Sequence, residues 1–171
     1  MNMKMNRYII PVLVMLAFFP AAGRADGDTA TVLYVIDGDT IKVMYGGRRE
    51  SVRLIGIDAP ESRKNGKALK DSARSGNDVA AIVSQGKEAK KYVRGLVGKG
   101  DTVRIEFDAE KRDRYRRLLG YVYLADGRML NDLVIRNGYA APLTIPPNVK
   151  HRSRFSESYK YAREHGLGLW R

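Results

Sequence analysis

Apolar and polar positions along this chain fall into short strand-like runs and a few helical stripes. Residues 31–36 (TVLYVI) are rich in β-branched side chains and predict a strand. Asp37-Gly38 is a hairpin turn signal, residues 41–45 predict the next strand, and Gly46-Gly47 a second turn. Residues 50–57 (ESVRLIGI) read as a third strand. Its apolar residues fall on both faces, so alternation leaves the direction of Arg53 open. Residues 62–84 are polar and basic, carrying Arg63, Lys64, Lys67, Lys70 and Arg74 with glycines at 66 and 76. They read as a long inserted loop with a short helix at 78–83. Loops of that length in a compact domain are often functional or disordered.

Beyond it, Ala89, Tyr92, Val93, Leu96 and Val97 share one helical face, and Gly98 and Gly100 end that helix. Residues 102–107 (TVRIEF) and 118–124 (LLGYVYL) read as two further strands. Leu130, Leu133 and Val134 predict a helix stopping at Gly138. Phe155, Tyr159 and Ala162 predict a last helix ending before Gly166. Three strands, a helix, two strands and two helices make an α+β chain: a five-stranded OB-fold barrel with about three helices. That fold often binds nucleic acid, but fold alone does not fix function.

Charge sharpens the picture. With 31 Lys and Arg against 19 Asp and Glu, the 171-residue chain has a formal charge of +12, which favours polyanionic partners. It contains no cysteine and two histidines, His151 and His165. A disulfide framework and a thiolate nucleophile are excluded, and a histidine-rich metal site is poorly supported. Both histidines are expected at the surface, and most of the tyrosines in the barrel or at its rim.

Residues 1–25 read as a secretory signal peptide. Lys4 and Arg7 precede an uncharged run from Tyr8 to Phe19, Pro20 ends the run, and Gly23-Arg24-Ala25 suits cleavage after Ala25. The run is short for a membrane span, which needs roughly 20 residues. Residues 26–171 then form one domain, exported to the periplasm or the medium and monomeric by expectation.

Four features could carry chemistry: Asp37-Gly38-Asp39-Thr40, Arg53, Asp58-Ala59-Pro60-Glu61, and Asp113-Arg114-Tyr115-Arg116-Arg117. Each has an ordinary explanation alone, as a turn, a paired surface arginine, a helix start or a solvated charged loop. Together they supply what phosphodiester hydrolysis needs. Carboxylates at strand ends suit a hard divalent cation. A further carboxylate can take a proton from water. Two arginines can grip phosphate oxygens as charge builds.

These strings resemble the thermonuclease family, whose type member is the staphylococcal nuclease. Its Asp-Gly-Asp-Thr turn matches residues 37–40, and its Arg-Leu-x-x-x-Asp-x-Pro-Glu string matches residues 53–61. Its Asp-x-Tyr-Gly-Arg string resembles residues 113–117, and residues 126–140 and the Gly-Leu-Trp ending at Trp170 also look alike. The resemblance implies Ca2+ held by Asp39, Asp58 and the carbonyl of Ala59, with Glu61 as general base. It implies Arg53 and Arg117 on the scissile phosphate, with Arg114, Tyr115 and Arg116 on neighbouring substrate groups. The implied activity is cleavage of DNA and RNA leaving 3′-phosphate ends.

Three departures follow. Arg116 stands where the family usually has Gly, so a positive φ there would be strained. Residues 143–148 lack the aromatic of the corresponding tyrosine-bearing loop, so base stacking is either weaker or supplied by Tyr139. The stretch after Glu61 is longer, and its basic residues either extend a phosphate track or keep a loop solvated. The alternative to a nuclease is a non-catalytic OB-fold nucleic-acid binder of the cell envelope.

Overall fold

The computed structural model describes residues 28–171; the expected signal peptide lies outside the described residues. Five strands close into a barrel in the order β1 (Asp28–Asp37), β2 (Thr40–Tyr45), β3 (Arg48–Leu54), β6 (Leu118–Tyr123) and β5 (Thr102–Glu106). All neighbours are antiparallel except β3 and β6, which run parallel from Val52↔Leu118 to Leu54↔Gly120. A second, two-stranded sheet pairs β4 (Gly56–Asp58) with β7 (Ala141–Leu143). Four α-helices complete the fold: α1 (Gly66–Ser75), α2 (Val79–Leu96), α3 (Leu130–Arg136) and α4 (Arg152–Glu164). None of the helices among the described residues is long and apolar enough to cross a membrane.

The barrel forms because alternate positions of each strand are β-branched or aliphatic and point inward. Val32, Ile41, Val43, Val52, Ile105 and Val122 are fully buried there. The β2–β3 turn has positive φ at both Gly46 and Gly47, as a two-residue hairpin turn matching strand twist requires. The expected barrel is present, with two differences from expectation, one in its strands and one in the segment after them. The predicted third strand breaks after Leu54, because Gly56 takes a φ of 79° and redirects residues 56–58 to pair with β7. The ring of Phe155 from α4 packs where a Cβ at Gly56 would sit, so the bend is fixed by packing as well as by backbone freedom.

The larger difference is at 62–84, where a loop was expected and helix is found. α1 begins at Gly66, capped by the Asn65 side chain, which accepts from Ala68 N at 2.9 Å. It ends at Gly76 in the left-handed conformation, whose N–H donates to Ser72 O. The two glycines that looked like loop punctuation are therefore its boundaries. Only Ala68 of α1 is buried, and the sequence pattern of the helix is a charged stripe of Lys67, Lys70, Asp71 and Arg74 rather than a wide core face. α2 then runs unbroken from Val79 to Leu96 and buries Ile82, Gly86, Ala89 and Val93. The predicted face around Ala89 and Val93 is correct, but the helix starts two turns earlier. α3 and α4 pack on each other and on the barrel through Leu130, Val134, Ile135 and Phe155.

Candidate active site

Asp39 sits in the β1–β2 turn and is almost fully buried. Its Oδ1 accepts from Thr40 Oγ1 at 2.9 Å, and its Oδ2 accepts from Ala59 N at 3.0 Å. The second bond ties the turn to the end of β4, twenty residues on. Arg53, on β3 directly opposite Thr40, points into the same space. One amino group, Nη1, lies 2.6 Å from Asp39 Oδ2, and the other, Nη2, donates to Asp58 Oδ1 at 3.1 Å. The register thus answers what alternation left open: Arg53 faces the carboxylates.

Glu61 follows β4 and lines the same cleft, a cavity of about 660 Å³ bordered by Asp39, Arg53, Asp58, Lys67 and Arg117. Its Oε2 accepts from Asn65 Nδ2 at 2.6 Å and its Oε1 lies 3.2 Å from Lys67 Nζ. Arg117 enters from the other side, its Nε paired with Asp113 Oδ2 at 2.7 Å. Asp113 also accepts from the backbone N–H groups of Tyr115 and Arg117, so one carboxylate shapes the whole turn. Arg116 occupies that turn with a φ of 65°, the sole positive-φ residue other than glycine among the described residues. The Arg112 side chain, itself paired with Glu50, holds the Arg116 carbonyl at 2.7 Å. The strain anticipated at this position is present, and Arg117 still reaches the cleft. Tyr115 is exposed, with the Arg114 and Arg117 guanidinium groups over its ring.

The structure gathers Asp39, Asp58, Arg53, Glu61 and Arg117 at one cleft, with Ala59 joined to it through its N–H to Asp39 and its carbonyl to Lys67. Arg114 and Tyr115 border an adjoining hollow of about 450 Å³ that shares Arg53 and Arg117. Arg116 lines neither cavity. Tyr139 does not substitute for the missing loop aromatic, because it stacks on Tyr92 at 4.4 Å outside the cleft; Leu143 and Ile145 border the cleft instead. His151 is not superficial: its ring packs edge-on to Tyr121 and meets Glu106 at 3.2 Å.

Several site residues escaped the sequence reading. Lys67 meets Asp58 Oδ1 at 3.0 Å and donates to Ala59 O at 2.9 Å. Burial works against its charge, but Asp58, Asp39 and Glu61 outweigh burial and hold its pKa above the ordinary lysine value. Asp37 backs the site by accepting from Ser62 N and Gly38 N. Burial raises its carboxyl above the ordinary value, Glu61 and Asp39 add to this, and the bonds from Ser62 and Gly38 oppose it. Gly86 allows α2 to touch the Glu61 main chain, where a Cβ would collide with the carbonyl. The one available signal was Asn65-Gly66-Lys67 ahead of helix-forming residues, a capping pattern.

A divalent cation suits this donor set. Two carboxylates and a main-chain carbonyl are hard oxygen ligands, and Asp58 Oδ1, Ala59 O and Glu61 Oε1 already converge on one positive charge, the Lys67 ammonium. Among the described residues no three acidic or histidine side chains cluster tightly enough to hold a metal by themselves. The carbonyl and water would have to complete the coordination.

A closed OB-type barrel carrying paired carboxylates, a third carboxylate and two arginines at one cleft defines a phosphodiester-hydrolysing nuclease. The comparisons agree. Residues 51–171 match the family model described as staphylococcal nuclease homologue. The chain is 32% identical over 154 residues to a thermonuclease of Staphylococcus hyicus, covering 89% of this chain and 82% of that protein. It is 33% identical to a thermonuclease of Staphylococcus intermedius, covering 84% and 77% of the two chains. It is also 33% identical to the endonuclease YncB of Bacillus subtilis (strain 168), covering 79% of this chain and 58% of that one. The chain belongs to the staphylococcal nuclease homologue family.

Proposed function

We propose that this protein is an exported, calcium-dependent nuclease that cleaves DNA and RNA and leaves 3′-phosphate ends. The observation that carries the reading is the convergence of Asp39 and Asp58 on Arg53 at the cleft that Glu61 and Arg117 also line. Asp39, Asp58 and the Ala59 carbonyl would hold Ca2+, which when bound offsets negative charge on the phosphoryl group. Glu61 takes a proton from the attacking water. Arg53 and Arg117 bind the non-bridging oxygens bidentately and stabilise the charge that grows on them. Cleavage of the bond to the 5′ oxygen leaves the phosphate on the 3′ side. Arg114 and Tyr115 meet neighbouring phosphates or bases in the hollow that adjoins the cleft. One chain supplies every one of these groups, which supports action as a monomer. The positive start, apolar run and small residues of positions 1–25 support export.

The test is cleavage of plasmid and single-stranded nucleic acid with added calcium, then with excess chelator, by the wild type and Glu61→Gln. Cleavage abolished by chelator and reduced about 10²–10⁴-fold by Glu61→Gln is the expected result. Tight, salt-sensitive binding without cleavage under any divalent metal would favour the non-catalytic binder instead.

A further inference from the structure

Lys67 makes a set of contacts that matches its chemistry group for group. An ammonium has three N–H donors. Three oxygens lie within reach: Asp58 Oδ1 at 3.0 Å, Ala59 O at 2.9 Å and Glu61 Oε1 at 3.2 Å. Two of the three belong to the groups assigned above to the metal, and the third to the general base. The remaining Glu61 oxygen is held by Asn65, which also caps α1. Lys67 and Asn65 therefore act from the same first turn of the same helix.

We propose that Lys67 is an internal counter-cation of the active site, which competes with the divalent metal and holds Glu61 out of use until the metal displaces it. This rests on the reading of Asp39, Asp58 and Ala59 as metal ligands. Calcium binds oxygen at about 2.3–2.6 Å, so it and the ammonium cannot both occupy the space among these oxygens. Arg53 engages both carboxylates, Asp39 and Asp58, whereas Lys67 reaches Asp58 but not Asp39. Lys67 thus adds a second cation at the Asp58 and Ala59 side of the ligand set alone. When the metal enters, the ammonium leaves Asp58 and Ala59, and the same movement releases Glu61 Oε1. Metal occupancy and availability of the base become one event. The side chain has somewhere to go, since it is about one-third exposed (35%) and borders the cleft with Lys70 and Arg74 of the same helix. The consequence is a raised metal threshold, so the enzyme switches on only where divalent cation is plentiful.

The experiment is calorimetric titration of metal-stripped protein with calcium, and thermal unfolding with and without calcium. It compares the wild type, Lys67→Met, Lys67→Gln and Lys70→Met. Both Lys67 variants are expected to bind calcium about tenfold or more tightly than wild type, the scale of a charged hydrogen bond converted to affinity. In chelator they should unfold at lower temperature than wild type, because Glu61 loses its cation and Asp58 keeps only Arg53. Calcium should then raise their unfolding temperature by more than it raises the wild type's. Lys70→Met removes the same charge from the same cleft wall without touching these oxygens, so it should stay near wild type. Wild-type calcium binding that neither Lys67 variant strengthens would overturn the proposal. So would an equal gain in Lys70→Met, which would reduce the effect to general electrostatics. Absence of calcium binding in every protein would overturn the calcium reading of the site, and the competition with it.

Discussion

Gly86, in the middle of α2, lies directly against the main chain of Glu61. A Cβ at position 86 would overlap the Glu61 carbonyl and the Ser62 nitrogen. Gly in a helix interior costs about 1 kcal/mol relative to Ala, so its presence here has a packing reason. It lets the helix support the segment that carries Glu61, the proposed general base.

Gly86→Ala is therefore expected to displace Glu61 while removing no functional group. Overpacking should lower stability by about 1–3 kcal/mol. Cleavage should fall by about 10- to 100-fold in protein that circular dichroism shows to be folded, since small misplacements of catalytic groups are that costly. Full activity in folded Gly86→Ala protein would mean that Glu61 does not depend on α2 for its position.

Arg116 adopts a φ of 65°, a conformation that costs an L-residue about 1–2 kcal/mol. Glycine would relieve that strain but lose part of the gain to its freer unfolded state. Arg116→Gly should stabilise the protein by up to about 1 kcal/mol and leave kcat near wild type, because Arg116 lines neither cavity of the site. Denaturant unfolding and steady-state cleavage check both halves. A loss of stability would show that the Arg112 bond to the Arg116 carbonyl depends on the arginine side chain.

Asn131 is fully buried and joins three segments. Its Oδ1 accepts from Val122 N at 2.9 Å, and its Nδ2 donates to Ile55 O at 2.9 Å and Gly120 O at 3.3 Å. It clamps α3 to β6 and to the break between β3 and β4, which directs residues 56–58 towards the site. Asn131→Ala leaves buried backbone groups unpaired and should cost about 2–4 kcal/mol by urea denaturation. Asn131→Asp should be no better, because a carboxylate would face two carbonyls.

Glu106 accepts from Tyr123 Oη at 2.8 Å and meets Lys150 Nζ at 2.7 Å and His151 Nε2 at 3.2 Å. Burial pushes its pKa up, but the bonds from Lys150, Tyr123 and His151 outweigh burial and bring it below the ordinary value of 4.5. A depressed carboxyl stabilises the fold above its unfolded-state pKa, and that contribution is lost as pH falls through the folded value. The unfolding temperature of wild type should exceed that of Glu106→Gln at pH 7, and the gap should close as pH drops below 4.5. A gap that stays constant down to pH 3 would assign the effect to something other than the charge of Glu106.

The site was legible where its residues sit in unbroken strings. Asp39, Arg53, Asp58, Glu61 and Arg117 could be named from local sequence because turns and strand ends fix them locally. The barrel was legible for the same reason, since alternation over short strands is a local property. Lys67 and Asn65 were not, because α1 has few apolar residues and buries only Ala68, so its period is carried by a charged stripe, Lys67, Lys70, Asp71 and Arg74, rather than by a core face. Gly86 was hidden differently: a glycine in a helical run reads as a weak point, and only its neighbour across space gives it a purpose. Tyr139 was misjudged because its partner, Tyr92, lies 47 residues earlier in the chain.

What the sequence by itself determined was the inventory: a basic chain without cysteine, five barrel strands, and the acids and arginines that the family resemblance singles out. The first two follow from composition and period, which act over a few residues at a time, and the last from matching strings. The tertiary structure alone decided which of those groups meet. The β2–β3 register aims Arg53 at both Asp39 and Asp58. The positive φ of Gly56 sends Asp58 and Ala59 away from the barrel and towards Asp39. The docking of α1 places one lysine among three oxygens. Some of these contacts span 14 and 20 residues, as Arg53 with Asp39 and Ala59 with Asp39 do, and others join near neighbours in sequence, but all depend on how the barrel closes and how the helices pack on it.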